Sequence, residues 1–391
     1  MLEQKMTRNI KLYGPYQVFT KRVFLPLVAI YASQVAHLSV AQIGYTIVIS
    51  SIATILFETT TGFWADTYGR RASARIGSFL AGLGTLLYIL LPNFIGIATA
   101  SFVVAVGYAF LSGSMAALVH DSLSVLGRED DFPKVASRAQ SFSLVINAGV
   151  MAVVPLLYPV DPRLPFVVGI LAYIILFLFA SLLTEPPVKH SAKEEEKKFI
   201  VAIRHLINRR AILFFICAGF MYSATTSMGD LFNLGFVALD IKPEQLGVIF
   251  AAASLAGAAL GLVVHHLKRL TFSQYVTVDV ASMALTFIAF GFLQNKLLVI
   301  FLWAQNMALW RFQRIMYQHY LAQIYGNTRY KATLFSIIGN VATLHSIWLV
   351  LVITGVAHQI GVLHSLRYGL CFLLVFWLLL LFGIRKLSTK P

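Results

Sequence analysis

The sequence predicts an all-α membrane protein of twelve transmembrane helices, arranged as two six-helix pseudo-symmetric halves. Three observations lead there. Hydrophobic residues make up 58% of the 391-residue chain and the mean hydropathy is +0.78, against about 45–50% apolar for a soluble globular domain. Stretches as long as a bilayer is thick carry no Asp, Glu, Lys or Arg, as over 97–120 and 165–184; about 20 such residues cross a ~30 Å hydrocarbon core as a helix. The cations fall in every second link between apolar runs. Within lipid only helices and closed barrels satisfy their backbone groups. Barrel strands are short and alternate polar with apolar residues, and these runs do not.

The spans follow in order. The first, 13–36, comes after a basic head with Lys5, Arg8 and Lys11, and the second covers 42–65. The third, 72–91, stops at Pro92-Asn93, and the uncharged fourth covers 95–124. The fifth, 135–157, ends before the proline-bounded stretch Pro159 to Pro165, and the sixth, 165–184, ends at Pro186-Pro187. The second half places spans at 211–237, 244–266, 272–292, 297–324, 332–356 and 365–385, with Gln294-Asn295-Lys296 punctuating the ninth and tenth. Domains are expected at 1–184 and 211–391. A cytoplasmic linker, 185–210, joins them and carries a short amphipathic helix at 199–207, where apolar and basic residues alternate at helical spacing.

Lysine and arginine set the orientation. With the N-terminus inside, the inner links hold 23 of the 31 cations and the outer links hold only Arg163, Lys242, Lys296 and Arg367. Both termini are therefore expected in the cytoplasm, and short loops point to a bacterial inner membrane. The formal charge of +15 would otherwise suggest a nucleic acid partner, but cations confined to short links exclude one; the lipid bilayer is their partner. No short apolar region with a cleavage site follows the basic head, so no cleavable signal is expected. Cys217 and Cys371 lie in apolar runs and read as small core residues, with no metal or disulfide framework.

An internal repeat supports the two halves. Leu38-Ser39-Val40-Ala41-Gln42-Ile43-Gly44 opens the second span and Ile241-Lys242-Pro243-Glu244-Gln245-Leu246-Gly247 opens the eighth. Two six-helix halves in parallel repeat are a transporter architecture.

The inner link after the second span reads Gly62-Phe63-Trp64-Ala65-Asp66-Thr67-Tyr68-Gly69-Arg70-Arg71. It resembles the signature loop of the major facilitator superfamily and sits in the expected place. Glu58-Thr59-Thr60-Thr61 before it, the stretch from Leu111-Ser112-Gly113 to His120-Asp121-Ser122-Leu123, and Arg329-Tyr330-Lys331-Ala332 resemble further, weaker motifs of that family, in a bacterial exporter-like branch. The resemblance covers the chain. It implies the family's fold, alternating access, and a loop that latches the two halves in one conformation through Gly62, Asp66, Gly69, Arg70 and Arg71. The physics of the loop is readable. Gly62 is expected to let helices approach closely, Gly69 to take a positive φ, and Asp66 to accept hydrogen bonds from a helix N-terminus or from Arg70. There are departures. Trp64 stands where leucine is usual, and no Lys or Arg falls between Ile76 and Gly127, so the family's fourth-span arginine is absent. The fifth span lacks the Gly-Pro of drug antiporters, and the corresponding loop of the second half is reduced to His265-His266-Leu267-Lys268-Arg269.

Ionisable residues at membrane depth cost at least about 2.5–3.5 kcal/mol each and so mark function. The first span carries Lys21 and Arg22 near Tyr13, Tyr16 and Gln17; the pair either faces a solute or snorkels to the inner surface. The tenth carries Gln305, Asn306, Arg311, Arg314 and Gln318, with Arg311, Arg314 and Gln318 on one helical face. Glu58, Asp121, Asp230 and Asp279 are the acids in or near spans. The substrate-binding set is Tyr16, Arg22, Asp230, Gln305, Arg311 and Arg314. Asp230 and Glu58 are the candidates for proton coupling, Asp230 alternatively pairing with a cation and Glu58 bracing the latch. Asp121 is expected to pair with Arg128 or Arg138, and Asp279 to be a structural partner. Guanidinium groups suit carboxylate or phosphate.

The leading reading is thus a monomeric secondary active transporter. It moves a small organic solute, anionic on this charge balance, by alternating access coupled to a proton gradient. Multidrug efflux of lipophilic cations and a membrane sensor without transport are the alternatives. An enzyme is not expected: the histidines are scattered and no nucleophile–base pair, metal cluster or phosphate loop is present. No cofactor is called for.

Overall fold

The structure is a computed structural model that describes residues 2–187, 209–267, 269–325 and 331–388. Its contacts divide the chain into two units, Met1–Leu38 with Tyr45–Glu195, and Ser39–Gly44 with Glu196–Pro391. The expected linker helix at 199–207 lies outside the described residues.

The first unit contains α1 (Leu2–Phe19), α2 (Val28–Gln34), α3 (Val40–Tyr68), α4 (Arg70–Leu90), α5 (Phe94–Leu111), α6 (Ser114–Val125), α7 (Phe132–Val153) and α8 (Leu164–Leu182). α4 packs on α5 and α8, and α1 packs on α6, α7 and α8. The α4–α5 seam is built of small residues, which lets backbones approach. A Cβ added at Gly77 would lie 2.7 Å from the Gly107 carbonyl oxygen, and one at Gly84 would lie 2.6 Å from Val104 Cγ2. Gly62, expected to serve this purpose, does not do so among the described residues, where a Cβ on it meets no heavy atom within 4 Å.

The second unit contains α9 (Arg209–Ser227), α10 (Gly229–Ala238), α11 (Leu246–Leu267), α12 (Phe272–Ile288), α13 (Lys296–Tyr325), α14 (Lys331–Ile360) and α15 (Val362–Ser388). Its main pairings are α9 with α14, α11 with α13, and α12 with α13 and α15. A π turn, Ala289–Leu293, closes α12 against Gln294, whose φ is 52°.

Nine stretches among the described residues are long and apolar enough to cross a membrane, and Leu25–Gln34 and Val362–Leu378 are shorter apolar helices. The tenth span, α13, is too polar for that measure but runs 30 residues, about 45 Å at 1.5 Å per residue. These are the twelve expected crossings. Three differ from the continuous helices predicted. The first is interrupted between Phe19 and Leu25, the fourth at Ser112-Gly113 (Gly113 φ 72°), and the seventh at Met228. α1 also starts well before residue 13, at Leu2. Cys217 is buried as expected, whereas Cys371 is exposed on α15 and is no core residue.

Candidate functional site

The interruption of the first span is set by Pro26. A proline inside a helix removes one donor and its ring clashes with the carbonyl four residues earlier, which here is that of Arg22. The chain therefore leaves the helix after Phe19, and Pro26 opens the 3-10 turn Leu25–Leu27 that leads into α2. The Arg22 carbonyl accepts from the Leu25 amide instead, at 3.0 Å. Carbonyls at the end of α1 lose their helical donors and must be satisfied elsewhere. Ser143 Oγ donates to the Gln17 carbonyl (2.9 Å) and Asn147 Nδ2 to that of Val18 (3.2 Å), both from α7. Tyr108 OH, from α5, donates to the Thr20 carbonyl at 2.5 Å and lies 2.9 Å from Tyr173 OH of α8.

Lys21 and Arg22 thus sit on unwound backbone just past the C-terminal end of α1, where the helix dipole favours cations. The Arg22 guanidinium lies over the Tyr108 ring, 4.5 Å from its centroid, a cation–π contact. Arg22 is half-buried and, among the described residues, makes no ion pair. Phe24, two residues on, is wedged into an aromatic cluster with Phe166 (5.2 Å), Tyr88 and Tyr173. Gly169 leaves room for it: a Cβ there would lie 2.4 Å from the Phe24 ring. Tyr16, one turn before the break, is buried at 1% exposure.

The signature loop forms a second polar constellation at the C-terminal end of α3. Gly69 takes φ 102°, a conformation that favours glycine, and turns the chain into α4. Arg70 donates to Asp121 of α6 at 2.5 Å and to Asp66 at 3.3 Å. The Asp121 and Arg70 side chains are only 10% and 12% exposed. Asp121 was expected to pair with Arg128 or Arg138; Arg128 pairs instead with Asp131. The helix N-terminus expected for Asp66 is taken by another acid. Glu185, just past α8, accepts from the amides of Arg70 (2.8 Å) and Arg71 (2.9 Å), the first two of α4. A carboxylate on those orphan amides also complements the helix dipole. Arg71 in turn donates to the Ser181 carbonyl (2.6 Å). Nearby, Asn9 is fully buried; its Nδ2 donates to Ser122 Oγ and the Thr184 carbonyl, and its Oδ1 accepts from the Thr184 amide. Glu58, on α3, is exposed.

In the second unit, Asp230 is half-buried in the first turn of α10, where the dipole favours an acid. Ser223, Ser227 and Ser346 form a hydroxyl chain beside the Met228 break, at 3.2 and 2.7 Å. Arg311 of α13 donates to Ser254 of α11 at 2.7 Å. Its stem crosses Gly257 so closely that an added Cβ would lie 2.7 Å from Arg311 Cδ. Gln305 is half-buried, and its Oε1 has no partner among the described residues. The Arg314 and Gln318 side chains lie outside the described residues, so the predicted face Arg311–Arg314–Gln318 is seen only through Arg311. The structure therefore gathers Tyr16 and Arg22 around one break, and Asp66, Gly69, Arg70 and Arg71 into one network. The reading from sequence missed Pro26, Tyr108, Ser143, Asn147, Asn9 and Glu185. Only Pro26 carries a signal visible in sequence, a proline four residues after an arginine within the predicted first span.

The model of the Major Facilitator Superfamily matches residues 17–347. An uncharacterized MFS-type transporter of Bacillus subtilis (strain 168), YxaM, is 22% identical over 261 residues, 63% of this chain and 64% of that protein. The chain thus spans a little under two thirds of the curated relative it matches. Among solved structures, a mutant of the nucleoside transporter NupG superimposes with a TM-score of 0.83 at 14% identity, covering 98% of this chain and all of that one. The POT family transporter PepTSo superimposes at 0.73 with 12% identity, covering 99% of each chain. At such identities the likeness shows the fold alone. The signature loop, the twelve crossings and a family match over most of the length agree: the chain belongs to the major facilitator superfamily and is an integral membrane protein.

Proposed function

We propose that this secondary transporter moves a small organic solute bearing an anionic group, by alternating access and coupled to protons. The observation that carries the reading is Arg22. It is a half-buried guanidinium on unwound backbone just before the apolar helix Leu25–Gln34, braced by the Tyr108 ring and not neutralised by a carboxylate among the described residues. Discontinuous spans are where transporters of several folds build solute and ion sites. A guanidinium stacked on an aromatic ring keeps its N–H fork for a carboxylate or phosphate. Arg311 supplies a second such group in the other unit. NupG and PepTSo are named as nucleoside and POT family transporters; small polar organic solutes are therefore the first class to screen.

The loop network gives the cycle its stop. In this reading, Arg70 holds Asp66 and Asp121 while Glu185 caps α4, so the inner ends of four spans move as one block. Loosening that block is the step between the two access states. Asp230 and Glu58 are the acids we assign to proton coupling, Asp230 first because it is the less exposed of the two.

The test is flux into proteoliposomes across a panel of organic anions, cations and neutral solutes, with and without a pH gradient. The reading expects uptake or exchange of an anion that an uncoupler abolishes and Arg22→Ala removes. Transport of lipophilic cations alone, indifferent to Arg22→Ala, would place the chain with multidrug exporters instead.

A further inference from the structure

The second unit buries a carboxylate that the proposed transport cycle has not used. Asp279 of α12 is 3% exposed. Its Oδ2 accepts from Gln313 Nε2 at 2.6 Å and from Tyr317 OH at 3.3 Å, both on α13. The described side chains that surround it are neutral. α9 contributes the buried Cys217 thiol, α12 itself Tyr275 one turn earlier, and α13 Gln313 and Tyr317. The described arginine of α15, Arg367, is spent on the Gly291 carbonyl at the far end of α12. Among the described side chains no cation bonds the carboxylate.

A structural ion pair would look different. Burying an ionised carboxylate at membrane depth without a counter-ion is costly, and binding a proton removes that cost. A proton carrier also needs hydrogen-bond partners for both of its states. The partners here have that property. Gln313 is fully buried and presents both an amide donor, now on Asp279, and an amide oxygen with no partner. Turning the amide by half a rotation would offer that oxygen to the new O–H of a carboxylic acid. Tyr275 OH is buried and likewise has no partner in the described residues; a hydroxyl both donates and accepts. A residue kept only to knit α12 to α13 would not need a neighbour that can reverse its polarity.

We propose that Asp279 is a proton-binding site of the second unit, with Gln313 as the partner that satisfies it in either protonation state. Its place in the transport cycle rests on the proton-coupled reading above; the binding of the proton itself does not.

The experiment is infrared difference spectroscopy on the full chain in lipid nanodiscs, recorded between acid and alkaline buffers without any solute. The expected result is a reversible carboxylic-acid carbonyl band that disappears in Asp279→Asn and persists in Arg22→Ala. Gln313→Leu should keep the band and move its titration midpoint by about one to two pH units, the equivalent of one lost hydrogen bond to a charged group. A band unchanged in Asp279→Asn, or no band at all, overturns the proposal. If Asp279→Asn does not fold, Gln313→Leu decides: an unmoved midpoint overturns it. Because no solute is present, failure of the anion reading would leave this result standing, and the reverse holds too.

Discussion

The first and seventh spans occupy equivalent places in the two halves, and both are interrupted, yet they are interrupted in different ways. The first loses its helix over five residues, 20–24, because Pro26 forbids continuation through Arg22. The freed carbonyls are taken by side chains of α5 and α7, and the gap presents Lys21 and Arg22. The seventh pauses at a single residue, Met228, in a hydroxyl-rich stretch with no proline. Ser and Thr compete locally for helix carbonyls, as Thr226 does for that of Tyr222. Its helix restarts at once, with Asp230 in the first turn. The charges obey the helix dipole in both cases, cations after a C-terminus and an acid at an N-terminus. The difference teaches that the wide break is held by side chains of neighbouring helices, while the narrow one is a joint that needs little support.

Substitutions break or sharpen that comparison. The largest effect belongs to Arg22→Ala, which removes the charge the wide break presents. Loss of a charge-assisted hydrogen bond, about 1.5–3 kcal/mol, is on the order of 10- to 150-fold in the dissociation constant of an anionic solute, readable by titration calorimetry. Pro26→Ala comes next and sharpens the contrast: without the ring that forbids a helix through Arg22, the first span is free to close like the seventh. Solute binding should fall, read by the same titration calorimetry. Asn147→Leu strips the Val18 carbonyl of its side-chain donor and should lower stability by about 1–3 kcal/mol, seen as an earlier thermal transition. Ser227→Ala, at the narrow break, removes the middle of the Ser223–Ser227–Ser346 hydroxyl chain and should cost about 1 kcal/mol. Should Ser227→Ala prove as damaging as Asn147→Leu, the two breaks are alike and the distinction fails.

The sequence carried the architecture well. Hydropathy and the sidedness of lysine and arginine gave twelve crossings, because those signals are summed over 20 residues and survive local error. The signature loop was legible because Asp66, Gly69 and Arg70 are close in the chain. Their partners were not. Asp121 and Glu185 lie 51 and 115 residues along the chain from Arg70, and nothing in a single sequence pairs them. Arg22 was found as a charge out of place, but its support by Tyr108, Ser143 and Asn147 depends on packing of α1 against α5 and α7. Gly62 was misjudged because spacing cannot say which face of a helix meets a neighbour; Gly77, Gly84 and Gly107 meet one instead. Asp279 reads from sequence as a structural partner, and its bonds to Gln313 and Tyr317 fit that; a lone acid in a span does not reveal that these described neighbours are neutral.

The central claim is that Arg22 recognises an anionic group. Thermal unfolding of the purified protein against matched organic anions, organic cations and neutral sugars tests it most directly. A ligand at 100 times its dissociation constant stabilises the folded state by about 2.7 kcal/mol. The account predicts stabilisation by at least one anion that vanishes in Arg22→Ala and survives in Ser227→Ala. Stabilisation only by lipophilic cations, unchanged in Arg22→Ala and lost in Asp230→Asn, would contradict it.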